Sequence, residues 1–401
     1  MKKGIAFALV ALGSILVCTA LAGSEKKLDA LLALPVTETK VFVESNEEPL
    51  FVMLKRSLPE ETDMPGSQPV SADKGTQTAQ QKADETGSAW MQQLRYQADQ
   101  GDAKSAFWLG RFTVEDSQDA KKIDEGIRLV RRSAEQGFMR AQLYLGTLYA
   151  YGVHVKADPV EAEKWLSTAA KQGSPMIQLY LGLMYGHGKG VPRDLDKSLF
   201  WVEKAADRGL PLAQLARGLF GSFSHYYPRD EQKAVLYLRK AASQGMPMAQ
   251  FYLALMYQRG RGVEQSNEQA LHWNMLAAEQ GYPEAEYAMS RMVELGMGVT
   301  PDKSWSMMWL DRAAHHGMPL AQYLMGLAYL EGKSVSQDLP VAAAWFYKAA
   351  MQGNADAQLR LGLMYSRGLG VPVDKPKAIA WLEKAAAAGN TVAGKWLMQL
   401  D

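Results

Sequence analysis

The sequence predicts an all-α solenoid (superhelix) of about eight 36-residue helix-turn-helix repeats, and two periodic columns carry that prediction. Glycine returns every 36 residues at Gly101, Gly137, Gly173, Gly209, Gly245, Gly281, Gly317, Gly353 and Gly389. Four residues later a small-residue column keeps step: Ala141, Ile177, Ala213, Ala249, Ala285, Ala321, Ala357 and Ala393, mostly followed by glutamine. A period of this length marks units too small to bury an apolar face alone, so each must stack on its neighbours. One elongated array therefore replaces the two or three globular domains that 401 residues would otherwise suggest.

In chain order, residues 1–22 are predicted to be a signal peptide. Lys2 and Lys3 precede the uncharged, mainly apolar run Gly4 to Ala22, and Ala20-Leu21-Ala22 fits the small-x-small pattern of signal peptidase. Two rival readings stand beside cleavage after Ala22. The run is long enough to remain as a membrane anchor, and Cys18, the sole cysteine, sits where a lipoprotein acceptor would, although Val17 occupies a position that normally needs a small residue. Cleavage leaves a mature chain with neither disulfide nor thiol chemistry. Residues 23–58 form a leader of uncertain structure, with the apolar runs Val41-Phe42-Val43 and Leu50-Phe51-Val52-Met53-Leu54. Residues 59–88 are rich in Glu, Thr, Ser, Gln, Gly and Pro and read as a flexible linker.

The solenoid is predicted over residues 89–401. In the unit Ala141 to Gln178, helix A carries Ala141, Leu145, Leu148 and Tyr149 on one face, and Gly146 allows close approach of a neighbouring helix. After the turn Gly152-Val153-His154-Val155, Asp158 followed by Pro159 starts helix B with a cap and a proline at the first helical position. Helix B buries Ala162, Trp165, Leu166, Ala169 and Ala170, and Gly173 ends it, because glycine enters the left-handed region without a Cβ penalty. The cap column continues through Asp194, Asp230, Ser266, Asp302, Asp338 and Asp374; the bulky column continues through Trp201, Tyr237, Trp273, Trp309, Trp345 and Trp381. Met184, Met256, Met292 and Met364 are expected to fill the core. The first pair, Lys104 to Gly137, is degenerate; with Trp90 to Gln100 before it and Thr391 to Leu400 at the far end, it supplies the atypical ends such arrays need.

The motif Ala-Gln-x-x-Leu-Gly-x-x-Tyr, then Gly-x-Gly-Val, Asp, Trp and Lys-Ala-Ala before glycine resembles the Sel-one-like repeat (SLR) family, relatives of the tetratricopeptide repeat. The match runs from Ser105 to the C-terminus and is closest at Ala357 to Tyr365, Gly368 to Val371 and Trp381 to Ala386. The resemblance implies a right-handed superhelix and a bacterial adaptor rather than an enzyme.

Charge excludes other classes. Lys plus Arg is 44 against 43 for Asp plus Glu, without the basic balance expected of a nucleic-acid binder. The recurring aspartates read as caps rather than paired catalytic carboxylates, and Gly186 to Gly190 is a repeat turn lacking the strand a phosphate loop requires. Ser24 to Lys27 and Ser71 to Lys74 match Ser-x-x-Lys, a motif of β-lactam-binding enzymes, but without its companions. The six histidines include no helical metal pair; His315-His316 reads as a helix end favoured by the dipole. No catalytic residue, cofactor or metal is expected.

Two features stand out as candidate partner-binding surfaces. The turn Ser222-Phe223-Ser224-His225-Tyr226-Tyr227-Pro228 replaces the permissive glycines of other units with aromatics, and Phe223, His225, Tyr226 and Tyr227 would offer an amphipathic contact surface. A helix A column, Trp108, Tyr144, Tyr180, Ala216, Tyr252, Ala288, Leu324 and Arg360, would line part of a groove through Tyr144, Tyr180 and Tyr252. Packing within the array is the competing account of both. The function expected is an exported, non-catalytic scaffold, periplasmic, in the bacterial cell envelope or secreted, binding a protein or peptide; the alternative is a glycan-binding protein associated with exopolysaccharide or peptidoglycan. Membrane contact would come only from an uncleaved signal or from lipidation at Cys18.

Overall fold

A computed structural model describes residues 90–224 and 226–400. The predicted signal, leader and linker, with Cys18, and also His225, lie outside the described residues. Among the latter there are eighteen helices and no strand. They are α1 (90–99), α2 (Ala103–Asp116), α3 (Ala120–Glu135), α4 (Met139–Tyr151), α5 (Pro159–Lys171), α6 (Pro175–His187), α7 (Leu195–Asp207), α8 (Pro211–Ser222) and α9 (Glu231–Ser243). There follow α10 (Pro247–Arg259), α11 (Asn267–Glu279), α12 (Pro283–Leu295), α13 (Lys303–His315), α14 (Pro319–Glu331), α15 (Leu339–Met351), α16 (Ala355–Arg367), α17 (Lys375–Ala387) and α18 (Thr391–Leu400). Helices α2 to α17 form successive A/B pairs, so the array is an all-α solenoid. The described residues fall into two compact units, 90–213 and 214–400. No helix among them is long and apolar enough to cross a membrane.

Each cap predicted for helix B is formed. Asp158 Oδ1 accepts from the Val160 and Glu161 amides, and Asp194, Asp230, Ser266, Asp302, Asp338 and Asp374 each accept from the amide three residues on. Every such bond satisfies a donor that the first turn would otherwise leave open. At the other end of helix B, Gly173 has a φ of 97°. Gly146 marks the closest approach within a pair, since a Cβ there would lie 2.7 Å from Leu166 Cγ.

The core consists of the predicted columns. Ala141, Ala213, Ala249, Ala285, Ala321, Ala357 and Ala393 are completely buried, as are the four methionines to within 2%. The bulky helix B rings are buried except Trp273, which is partly exposed. A basic side chain three residues later lies over several of them, at 4.2 to 5.6 Å for Lys204, Lys240, Arg312, Lys348 and Lys384. These lysines and Arg312 cover ring faces while keeping their charges in water.

The glutamines beside the alanine column join successive pairs. Gln142, Gln178, Gln250, Gln322 and Gln358 each donate through Nε2 to the carbonyl eight residues earlier, at the end of the preceding helix B, over 3.0 to 3.2 Å. A second glutamine thirty residues on completes the rung: Gln172, Gln244, Gln280 and Gln352 donate to the Oε1 of the first at 2.8 to 2.9 Å. The carbonyls left open at a helix C-terminus are thereby satisfied inside the interface.

Candidate functional site

The turn after α8 keeps the closure of the glycine-bearing turns without their glycines. The Asp230 amide donates to Gly221 O at 3.0 Å, as the Asp194 amide does to Tyr185 O. Ring burial holds the intervening residues. Phe223 is only 6% exposed, with its ring 5.2 Å from that of Tyr252 and the Arg261 guanidinium 5.3 Å away on its face. Tyr227 is 8% exposed and stacks on Phe220 at 4.1 Å with an 8° interplanar angle. The expected three-ring contact surface is therefore corrected: Phe223 and Tyr227 are inward struts, because a turn deprived of glycine gains its definition from packing. Tyr226 alone of these rings reaches solvent, at 56% exposure, with its amide donating to Ser224 Oγ. It occupies the register of Gly190 and Gly262.

Phe223 opens a chain of rings in the 214–400 unit. From Tyr252 the next centroid, that of Phe251, is 5.5 Å away, and Tyr282 follows at 5.6 Å from Phe251. Tyr282 precedes Pro283, the first residue of α12, and Glu284 lies in that helix's first turn. Burial pushes the Tyr252 hydroxyl up to about 12 and that of Tyr282 well above the ordinary phenol range, with Glu284 adding to both shifts. The Tyr282 hydroxyl is buried without a hydrogen-bond partner. Glu284 is partly exposed and forms no ion pair among the described residues. Desolvation pushes its carboxyl up to about 7; its own backbone amide opposes this, and Glu286 adds to it.

This carboxyl makes stability pH-dependent. Its folded pKa is raised from 4.5 to about 7, so the folded state favours the protonated form. Its contribution is full below pH 4.5 and is lost as pH rises through about 7. Glu284→Gln is expected to stabilise the chain by about 2 kcal/mol at pH 8, after allowance for solvent access, and to change little at pH 4.5. Urea unfolding at the two pH values measures the difference, and an equal effect at both would contradict it.

The other predicted groove residues belong to the 90–213 unit. Tyr180 is buried, its hydroxyl pKa raised by burial and by the adjacent Tyr151, so it is a core residue and not a groove lining. Tyr144 is partly buried, its hydroxyl raised by burial and by Glu115. It lines a cavity of about 300 Å³ with Val114, Glu115, Ile123, Val153 and His154. His154 has a φ of 58°, a left-handed conformation at a position where most other turns have glycine. The helix A column is thus divided, with only Tyr252 joining the turn.

One charged cluster escaped the sequence reading. Glu286 stands in the glutamine column, completely buried, and lacks an N–H to give the preceding helix. Arg312 supplies it: NH2 donates to Ala278 O at 3.1 Å while Nε donates to Glu286 Oε1 at 3.0 Å. His316, in the second glutamine column, places Nδ1 2.7 Å from Glu286 Oε2. His316 also caps α13 and His315 is its last residue, so the expected helix end is present and the pairing is additional. The signal was available as acid and histidine together in two amide columns. Other departures from the periodic pattern also gather between Ser222 and His316, including Ala254, Ser266, Asn274 and Ser290.

Comparison with known proteins agrees with this construction. The Sel1 repeat model matches seven times, at residues 140–174, 176–210, 211–246, 247–282, 283–318, 319–354 and 355–390. A crystal structure of a Sel1 repeat protein from Oxalobacter formigenes is 82% identical over 94% of this chain and 100% of that one, with a TM-score of 0.75. The structure of c5321, a protective antigen present in uropathogenic Escherichia coli strains and displaying an SLR fold, is 31% identical over 77% of this chain and 66% of that one, with a TM-score of 0.60. A comparison with curated proteins returned no match. With its repeats in unbroken register from residue 140 to 390, the chain belongs to the Sel1 repeat family.

Proposed function

We propose that this chain is a non-catalytic scaffold of the bacterial cell envelope that binds a protein or peptide through the 214–400 unit. Sel1 repeat proteins are generally protein-interaction scaffolds, which supports the class of function. The observation that carries the site is the concentration of unrepeated chemistry between Ser222 and His316, where exposed Tyr226 and the ring chain from Phe223 to Tyr282 depart from the periodic pattern. Export rests on the basic-apolar N-terminus ending in Ala20-Leu21-Ala22.

The test is affinity capture of the tagged full chain from crosslinked cells, wild type against Tyr226→Ala. A defined set of proteins, recovered about tenfold less by the variant at unchanged thermal stability, is the expected result, since an exposed tyrosine anchor contributes roughly 1–2 kcal/mol at an interface. Phe223→Ala serves as the contrast, because it is expected to lower stability by about 3 kcal/mol through loss of a buried ring. Capture of cell-wall or capsular sugar without protein would replace the scaffold by a glycan binder.

A further inference from the structure

We propose that residues 50–56 of the leader, Leu-Phe-Val-Met-Leu-Lys-Arg, dock in cis on the cavity between α2, α3 and the turn after α4. That cavity lies in the 90–213 unit, so the inference stands apart from the partner site proposed on the 214–400 unit.

The cavity exists because one turn does not close on the unit before it. A Cβ at Gly262, Gly298 or Gly370 would strike the backbone of Glu231, Asn267 or Leu339, the first residues of the preceding helix B. Glycine thus lets those turns lie directly on that helix. His154 holds the same register at a φ of 58°, and the matching residue of α3 is Ile123, about one turn inside a helix that already begins at Ala120. In place of that contact there is a cavity of about 300 Å³, with Val114, Ile123, Tyr144 and Val153 as its apolar wall. Its size suits side chains of an extended peptide better than a drug-sized ligand. A histidine held in the left-handed region is also a strained residue, of the kind that gathers at functional sites.

The position of the chain, its length and its charge name the occupant. Helix α1 runs back along α2, with Trp90 5.5 Å from Phe112, so the leader arrives at the C-terminal end of α2, where Val114 lines the cavity. Residues 55–89 make a tether of 35 residues. A flexible tether of that length spans roughly 30 Å and holds the apolar run at an effective concentration on the order of millimolar. Residues 115–125 carry five acids against two lysines, and Glu115, Asp116 and Asp119 are exposed. The apolar run ends in Lys55-Arg56, while Glu47 and Glu48 stand on its other side, so its basic end matches the acidic rim. Five apolar side chains left in water invite aggregation, which docking prevents. Cleavage after Ala22 and lipidation at Cys18 both leave the segment attached.

Disulfide trapping tests the docking, because Cys18 is the sole cysteine of the chain. In the full chain carrying Cys18→Ser, Val52→Cys is combined with Val153→Cys at the cavity, or with Tyr96→Cys, a position 63% exposed and nearer in sequence to the tether. In a glutathione redox buffer the Val153 pair is expected to show an effective concentration about tenfold above that of the Tyr96 pair. Phe51→Ser with Met53→Ser is expected to bring it down to the Tyr96 value with helical content intact. Equal values for the two pairs, or a Val153 value unmoved by the serine substitutions, overturns the docking. Disulfide-linked dimers in place of intramolecular bonds would assign the segment to a second copy and overturn it likewise. None of these outcomes bears on partner capture through Tyr226, so the two proposals fail separately.

Discussion

Gly262→Ala is expected to destabilise the chain by about 4 kcal/mol, whereas Gly245→Ala is expected to cost only about 1 kcal/mol. Both glycines have positive φ, 68° and 84°, so both substitutions meet the left-handed penalty. They differ in what surrounds the new methyl group. At Gly262 a Cβ would lie 2.3 Å from Glu231 O and 2.5 Å from Glu231 C, the backbone at the start of α9. That backbone is fixed by the Asp230 cap and cannot yield as a flexible side chain would. At Gly245 nothing lies within 4 Å. Urea unfolding followed by far-ultraviolet circular dichroism measures both, and equal losses would show that strain, not inter-unit contact, governs the turn.

The second large effect is expected at Arg312. Its removal as Arg312→Met leaves the buried Glu286 carboxylate with His316 alone and opens Ala278 O, so a loss of about 3 kcal/mol is expected. Glu286→Gln alone is expected to stay within about 1 kcal/mol of wild type, because it restores the rung used by Gln250 and Gln322. In the double variant Glu286→Gln with Arg312→Met, the new amide can donate to Ala278 O itself. A double-mutant cycle should therefore give a coupling of about 2 kcal/mol, and additive losses would show that the three charged residues do not act together.

The frame was legible because each of its roles is local and repeated. A capping aspartate, a glycine after the last helical turn and a tryptophan three residues before a lysine can each be recognised within one unit, and repetition removes ambiguity. What failed was relational. Phe223 and Tyr227 look available because they sit in a turn, yet their exposure is set by Tyr252 on α10 and Phe220 on α8. Glu286 reads as a single polar substitution until Arg312 and His316, far along the chain, are found at its two oxygens. Tyr180 followed its column correctly into a helix A, but alignment alone does not reveal that its hydroxyl is enclosed.

The amide rungs also act as a grammar for rearranging the gene. Gln142, Gln250 and Gln322 each meet a carbonyl eight positions behind and an amide thirty ahead, so excision or duplication of a whole period between such rungs rejoins compatible ends. A cut that is one residue longer or shorter breaks the frame and strands polar atoms at the seam. The Glu286 rung follows a stricter syntax: its acid is readable only when Arg312 and His316 travel with it. A crossover between α12 and α13 would separate those words, whereas crossovers at the helix B glycines would transmit them as one inherited phrase.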